Sequence, residues 1–145
     1  MSDPAHEARL RRHQVFGWWS LALFLLLGLS LEGLQGIKAG FYLDPGHILR
    51  RELWRLAHAH GTLLALANLV IGGSLERVQA LAHAGRAALV SRLWLLGSVL
   101  LPLGFLLGGA FASEHDPFIA VLLVPLGADC LIAAAVSVAW TLSRR

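Results

Sequence analysis

Four long apolar stretches dominate the pattern of hydrophobic and polar positions along this chain. They cover residues 15–42, 53–75, 88–112 and 117–142. Each exceeds the roughly 20 residues that an α-helix needs to cross the hydrocarbon core of a bilayer. None could cross as a loop or an open strand, because unpaired backbone groups cost too much in lipid. The pattern therefore predicts four transmembrane helices in a single membrane domain covering residues 1–145.

The connections between these spans and the placement of basic residues predict the topology. Two connections are short, so neighbouring spans are expected to be antiparallel, as in an up-down four-helix bundle. Eight arginines fall on one side, in the two terminal segments and around the connection between spans 2 and 3, and four bases fall on the other. The positive-inside rule then places both termini in the cytoplasm. We expect an all-α, multi-pass protein of a bacterial-type inner membrane.

Composition supports a membrane protein and argues against other classes. Hydrophobic residues make up 57% of the chain and charged residues 14%, and the mean hydropathy is +0.66. A soluble domain carries about 25% charged residues. The formal net charge of +3 is not accompanied by a basic patch interleaved with aromatic side chains, which nucleic-acid readers require. We therefore expect the lipid bilayer as a partner, no nucleic acid, and assembly as a homo-oligomer or within a larger membrane complex.

Ionisable residues inside a span are costly in lipid, so each one is a candidate site residue. Glu32, Gln35 and Lys38 fall on one face in the outer third of span 1. Arg55 and His58 share a face of span 2 through their i, i+3 spacing. The two groups come at a similar depth if the spans are antiparallel. This predicts a polar layer near the outer membrane surface.

The two histidines of span 2 raise the question of a metal centre. His58 and His60 are two residues apart, which on a helix means about 200° of rotation, so a regular helix cannot offer both to one ion. A metal site would instead join His58 or His60 to Glu32 and to a loop histidine such as His115 or His47. His115 is expected to cap the layer from the last connection. Imidazole and carboxylate ligands suit zinc, copper or iron. A haem would need an axial histidine that faces the bundle interior.

A second group of polar residues is expected near mid-membrane. Asn68, Ser98 and Asp129 come from three different spans. A lone aspartate at that depth must be protonated or partnered, and a structural hydrogen bond to Asn68 is favoured over a role in proton relay. His13 precedes the first apolar run and is expected to be solvated on the cytoplasmic side.

One stretch of span 2, LAHAHGTLLALANLVIGG, resembles the second-helix motif of hydroxylaminobenzene mutase-like proteins. These are small bacterial proteins with four membrane spans. Ala57 and His58 match the Ala-His pair of that motif, Gly61 comes near its glycine, and His60 stands roughly where the family has an acidic residue. The resemblance implies rearrangement of an aromatic hydroxylamine to an aminophenol, with no cofactor required.

Three hypotheses about function remain open at this point. The first is an accessory or structural subunit of a membrane assembly that carries an outer-leaflet polar site. The second is a histidine-centred protein that binds haem or a transition metal. The third is a small membrane isomerase. All three have the same working region, formed by Glu32, Arg55, His58 and His60 and capped by His115.

Overall fold

The computed structural model describes residues 4–81 and 84–143 and is all-helical over these ranges. The helices are α1 (Pro4–Gly36), α2 (Gly40–Leu43), α3 (Ile48–Val70), α4 (Gly72–Leu81), α5 (Ala84–Ala110) and α6 (Leu123–Ser143). Short 3-10 turns at Pro45–His47 and Ile119–Leu122 precede α3 and α6. Three helices are long and apolar enough to cross a membrane, or four if the bent pair α3–α4 is one span. This confirms the all-α class, and the candidate spans fit a multi-pass membrane protein. Arg144 and Arg145, which contributed to the predicted topology, lie outside the described residues.

The first predicted span is shifted and interrupted. α1 begins at Pro4, and proline is favoured in the first turn of a helix. It ends before residue 42 because the chain forms a C-terminal cap, in which the Ala39 N–H donates to the Leu34 carbonyl at 3.0 Å. Lys38 adopts a φ of 53°, the left-handed conformation that terminates helices and usually belongs to glycine. Polarity alone does not reveal such an ending.

The second predicted span, residues 53–75, is broken near its end. α3 and α4 meet at a bend of 48°, next to the consecutive glycines at positions 72 and 73. Glycine is a poor helix former, and helix kinks concentrate at such positions. Beyond the bend, Leu75 is fully buried and packs in a cluster with Ile71, Val90 and Ala134. α4 therefore lies against the ends of α5 and α6.

The long helices pack on their neighbours in chain order. α1 packs against α3, α3 against α5, and α5 against α6. Over the two described ranges, α1 and α6 do not approach each other, so the four form an open row with these helices at its edges. A four-helix bundle usually closes through a contact between its first and last helices. The row lacks that contact.

Glycines set the distance between α1 and α3. A Cβ atom added to Gly28 would come within 2.4 Å of the His58 ring, and one added to Gly61 within 2.4 Å of the Phe24 ring. Both glycines therefore make room for a ring from the facing helix. Because Phe24 meets Gly61 while Gly28 meets His58, the two helices run antiparallel.

Candidate functional site

A polar cleft of about 710 Å³ lies between α1 and α3, near the end of α1 that adjoins α2. Its polar lining residues are Glu32, Gln35, Tyr42, Glu52, Arg55 and His58. Leucines from both helices complete the lining. We call this cavity the α1–α3 cleft. Four of the predicted site residues, Glu32, Gln35, Arg55 and His58, are thus brought together in one cavity.

Helical periodicity explains why these side chains meet. Glu32 and Gln35 are three residues apart on α1, and Glu52, Arg55 and His58 follow one another at the same spacing on α3, so each set occupies one face. Arg55 and Glu52 form an ion pair at 3.5 Å, with side chains 64% and 53% exposed. An exposed pair of this kind contributes well under about 1 kcal/mol. The guanidinium thus remains available to a ligand.

The orientation of His58 is determined by a backbone hydrogen bond. Its Nδ1 lies 2.7 Å from the carbonyl oxygen of Phe24. A carbonyl oxygen only accepts, so Nδ1 carries the proton and donates it. In the neutral imidazole, Nε2 then holds a lone pair that can accept a proton or bind a metal. His58 therefore presents a base to the cleft.

Tyr42 and Trp54 anchor the end of the cleft. Tyr42 is 1% exposed, and its ring stacks on Trp54 with 6.3 Å between centroids. Burial raises the pKa of the Tyr42 phenol above its ordinary value, so the phenol stays protonated and can donate a hydrogen bond. Trp54 Nε1–H donates to the Leu106 carbonyl at 3.2 Å, which ties this corner to α5. The sequence pattern alone did not indicate this role for Tyr42.

His60 and His115 lie outside the cleft. The His60 Nδ1 lies 2.9 Å from the carbonyl oxygen of Leu56, and its ring meets Phe105 of α5 with 5.1 Å between centroids. His115 is exposed in the loop between α5 and α6.

The predicted metal-ligand set is not assembled. In the part of the chain that the structure describes, no three or more His, Cys, Asp or Glu side chains are grouped so as to hold a metal ion. Glu32 and His58 share the α1–α3 cleft, but neither His60 nor His115 lines it. The rotation of about 200° between the two histidines directs His60 toward α5, and His115 lies in the loop that follows α5.

Asn68 belongs to a buried hydrogen-bond network that joins three helices. Its Oδ1 accepts from His13 Nδ1 at 2.7 Å, and its Nδ2 donates to Ser98 Oγ at 2.9 Å. His13 Nε2 accepts in turn from the Ser91 hydroxyl at 2.9 Å. His13 is 1% exposed, so the expectation that it is solvated was wrong. The early start of α1 carries this histidine between α3 and α5 instead of leaving it in a tail.

Asp129 takes no part in this network. It is exposed on α6, and α6 does not pack against α3 anywhere in the described ranges. The predicted hydrogen bond between Asp129 and Asn68 was therefore wrong. The open row of helices places α5 between the two residues. The Asn68 amide is hydrogen-bonded to His13 and Ser98 instead.

No family model, curated protein or solved structure matches this chain. The resemblance of residues 56–73 to hydroxylaminobenzene mutase-like proteins therefore stays a prediction. The case for a function rests on the α1–α3 cleft. Besides Tyr42, sequence reasoning overlooked Gly28, whose only signal is its position one helical turn before Glu32 on the face that meets α3.

Proposed function

We propose that this chain is a multi-pass inner-membrane protein with both termini in the cytoplasm, and that it isomerises a small amphiphilic molecule in the α1–α3 cleft by acid–base chemistry. The observation that carries the proposal is the free Nε2 of His58 in the same cleft as the Glu32 carboxyl group. An acid and a base facing one cavity are the groups that proton transfer requires. The leucines of the lining match an apolar ligand body.

The resemblance of α3 to the mutase-like proteins suggests an arylhydroxylamine as the substrate class. Glu32 donates a proton to the oxygen of the N–O bond, which breaks as water leaves. A water molecule then adds to a ring carbon while His58 Nε2 takes its proton. Transfer of the hydrogen from that carbon to nitrogen restores the aromatic ring. The aminophenol is an isomer of the substrate, so no oxidant or reductant is consumed.

The remaining polar groups of the cleft position the substrate. Arg55 and Gln35 supply N–H donors for the substrate's oxygen and nitrogen atoms. The motif's acidic position is occupied here by His60, which lies against Phe105 on the other side of α3. A carboxyl group at that position would not face His58 in this fold. Glu32 of α1 supplies the acid instead.

The two neighbouring histidines provide a matched test of this function. The purified protein in liposomes is incubated with phenylhydroxylamine, and aminophenols are quantified by chromatography. Removing a general acid or base costs about 10²–10⁴-fold in rate, so His58→Ala and Glu32→Gln should each lower turnover at least a hundredfold. His60→Ala should stay within a few-fold of the unmodified protein, since that ring faces α5. Equal losses in both histidine variants, or no turnover at all, would contradict the proposal.

Ligation of a haem by His58 is a second candidate function. It is favoured by the Nδ1–H···O=C bond to Phe24, because metal-binding histidines are oriented by such a bond on their other nitrogen. A Soret band that disappears in His58→Ala and persists in His60→Ala would support this function over the isomerase. Stoichiometric co-purification with other membrane proteins, without turnover, would favour the accessory-subunit hypothesis.

A further inference from the structure

Helix α6 carries an acidic residue on the side that faces away from α5. Asp129 is exposed there together with Leu126, Ile132 and Val136, which are 52–59% exposed. It lies near the middle of the candidate span Ile119–Ser143, about 15 Å from the start at 1.5 Å per residue. In the most apolar part of this span, only 11% of the residues are buried inside the chain. A carboxyl group is therefore presented to the hydrocarbon core.

A carboxyl group at this depth requires a partner. As a carboxylate it would carry an uncompensated charge into hydrocarbon, and as a neutral acid it would still bury an unpaired donor and acceptor. Within residues 4–81 and 84–143, no hydrogen bond or ion pair reaches the Asp129 side chain. Acidic residues in membrane helices face a protein interior or a water-filled cavity. The described residues supply no such partner, whereas a second molecule packed on this face of α6 can.

We propose that α6 forms the interface between two copies of this chain, with the Asp129 carboxyl groups of the two copies hydrogen-bonded to each other. A protonated carboxyl group has one O–H donor and one carbonyl acceptor. Two such groups related by a two-fold axis satisfy each other completely, each O–H donating to the opposite carbonyl oxygen. Asp129 is thus complementary to itself, and a second copy is the occupant that its chemistry favours.

The surroundings of Asp129 suit close packing of two helices. Ala133 lies one turn after it and is exposed on the same side. A small side chain at such a position lets two membrane helices approach closely, which brings short polar side chains within hydrogen-bonding distance. The α1–α3 cleft lies at the opposite edge of the row, so dimerisation through α6 leaves it open. The inference rests on the membrane character of α6 and is independent of the function of the cleft.

Disulfide cross-linking in native membranes tests the location of the interface. Cys130 is the only cysteine in the chain, so a Cys130→Ala background accepts single new cysteines. Oxidation with copper phenanthroline should link two chains of the Ala133→Cys variant on α6. The Leu29→Cys variant is the control, because Leu29 is 69% exposed on α1, at the other edge of the row. Linkage at Leu29→Cys alone, equal linkage in both variants, or linkage in neither would overturn the proposal.

Two substitutions of Asp129 test the hydrogen bond itself. Energy transfer between labelled chains in phosphatidylcholine liposomes, followed as lipid is added, reports the dissociation constant of the dimer. Asp129→Leu should raise this constant about tenfold, as expected for the loss of interhelical hydrogen bonds. Asp129→Asn should stay close to the unmodified protein, because an amide also has a donor and an acceptor. Equal weakening in both variants would refute the carboxyl pair, because it would indicate a charged partner. The absence of weakening in either variant, or an unmodified protein that is monomeric, would also refute it.

Discussion

Replacing Gly28 with alanine should displace the imidazole of His58. The new Cβ would lie 2.4 Å from Cε1, 2.8 Å from Nδ1 and 2.9 Å from Nε2 of that ring. Favourable carbon contacts occur at about 3.5–4.0 Å, so the ring cannot keep its place. Because it is the end of a side chain, it can swing into the α1–α3 cleft. The ring then loses its hydrogen bond to the Phe24 carbonyl oxygen, which lies 2.7 Å from Nδ1 in the native structure.

The size of the effect follows from three contributions. The lost hydrogen bond costs about 0.5–1.5 kcal/mol, and overpacking of a filled interface costs about 1–3 kcal/mol. Alanine in place of glycine within a helix returns up to about 1 kcal/mol. The free energy of unfolding should therefore fall by about 0.5–4.5 kcal/mol. Turnover should fall as well, since the proposed base loses the bond to Phe24 that fixes its tautomer and orientation.

Thermal unfolding followed by circular dichroism in detergent micelles measures the loss of stability, and ¹⁵N NMR of the imidazoles reports the tautomer of His58. Gly33→Ala is the matched control, because a Cβ added to Gly33 meets no atom within 4 Å. This control should leave stability unchanged or raise it by up to about 1 kcal/mol. Similar losses of stability in both variants would refute the reasoning. So would an Nδ1–H of His58 that remains hydrogen-bonded in Gly28→Ala.

Two further predictions concern stability, and the same unfolding assay checks both. His13→Ala should lower the free energy of unfolding by about 3–5 kcal/mol, because it leaves polar groups of Asn68 and Ser91 buried without a partner and opens a cavity. His6→Ala, which removes only a partly buried bond to Gln79, should cost less than about 1.5 kcal/mol, and equal losses would contradict the account. Lys38→Gly should stabilise the protein by about 1 kcal/mol by relieving the left-handed backbone conformation, and a loss of stability would show that the Lys38 side chain matters more.

The cores of the helices could be predicted from the sequence better than their ends. Lipid requires about 20 apolar residues per span, and such runs are visible without a structure. The ends depend on backbone geometry that polarity does not encode. Lys38 ends the first helix in a conformation normally reserved for glycine, and the bend between α3 and α4 interrupts an apolar run that continues to Leu75.

For the site, the sequence predicts which side chains share a helix face but not which residues of other helices they contact. The separation of His58 from His60 follows from the pitch of any α-helix, and the structure has these rings toward α1 and α5 respectively. The network around His13 could not be predicted in this way. Its partners Asn68 and Ser91 lie 55 and 78 residues further along the chain, and no local pattern connects them. Asp129 could not be placed either, because an exposed face and a buried face look alike in a uniformly apolar helix.

The open row of helices has a consequence for how the chain folds as it is synthesised. Because each long helix packs on the one before it, α3 can settle on α1 and α5 on α3 in the order in which the ribosome releases them. The His13 network is the exception. The His13 Nδ1–H can bond to Asn68 as soon as α3 packs on α1. The His13 Nε2 has no partner until α5 brings Ser91 into place. A nascent chain that stops short of α5 therefore holds a half-paired histidine at the α1–α3 contact, and docking of the third long helix completes it.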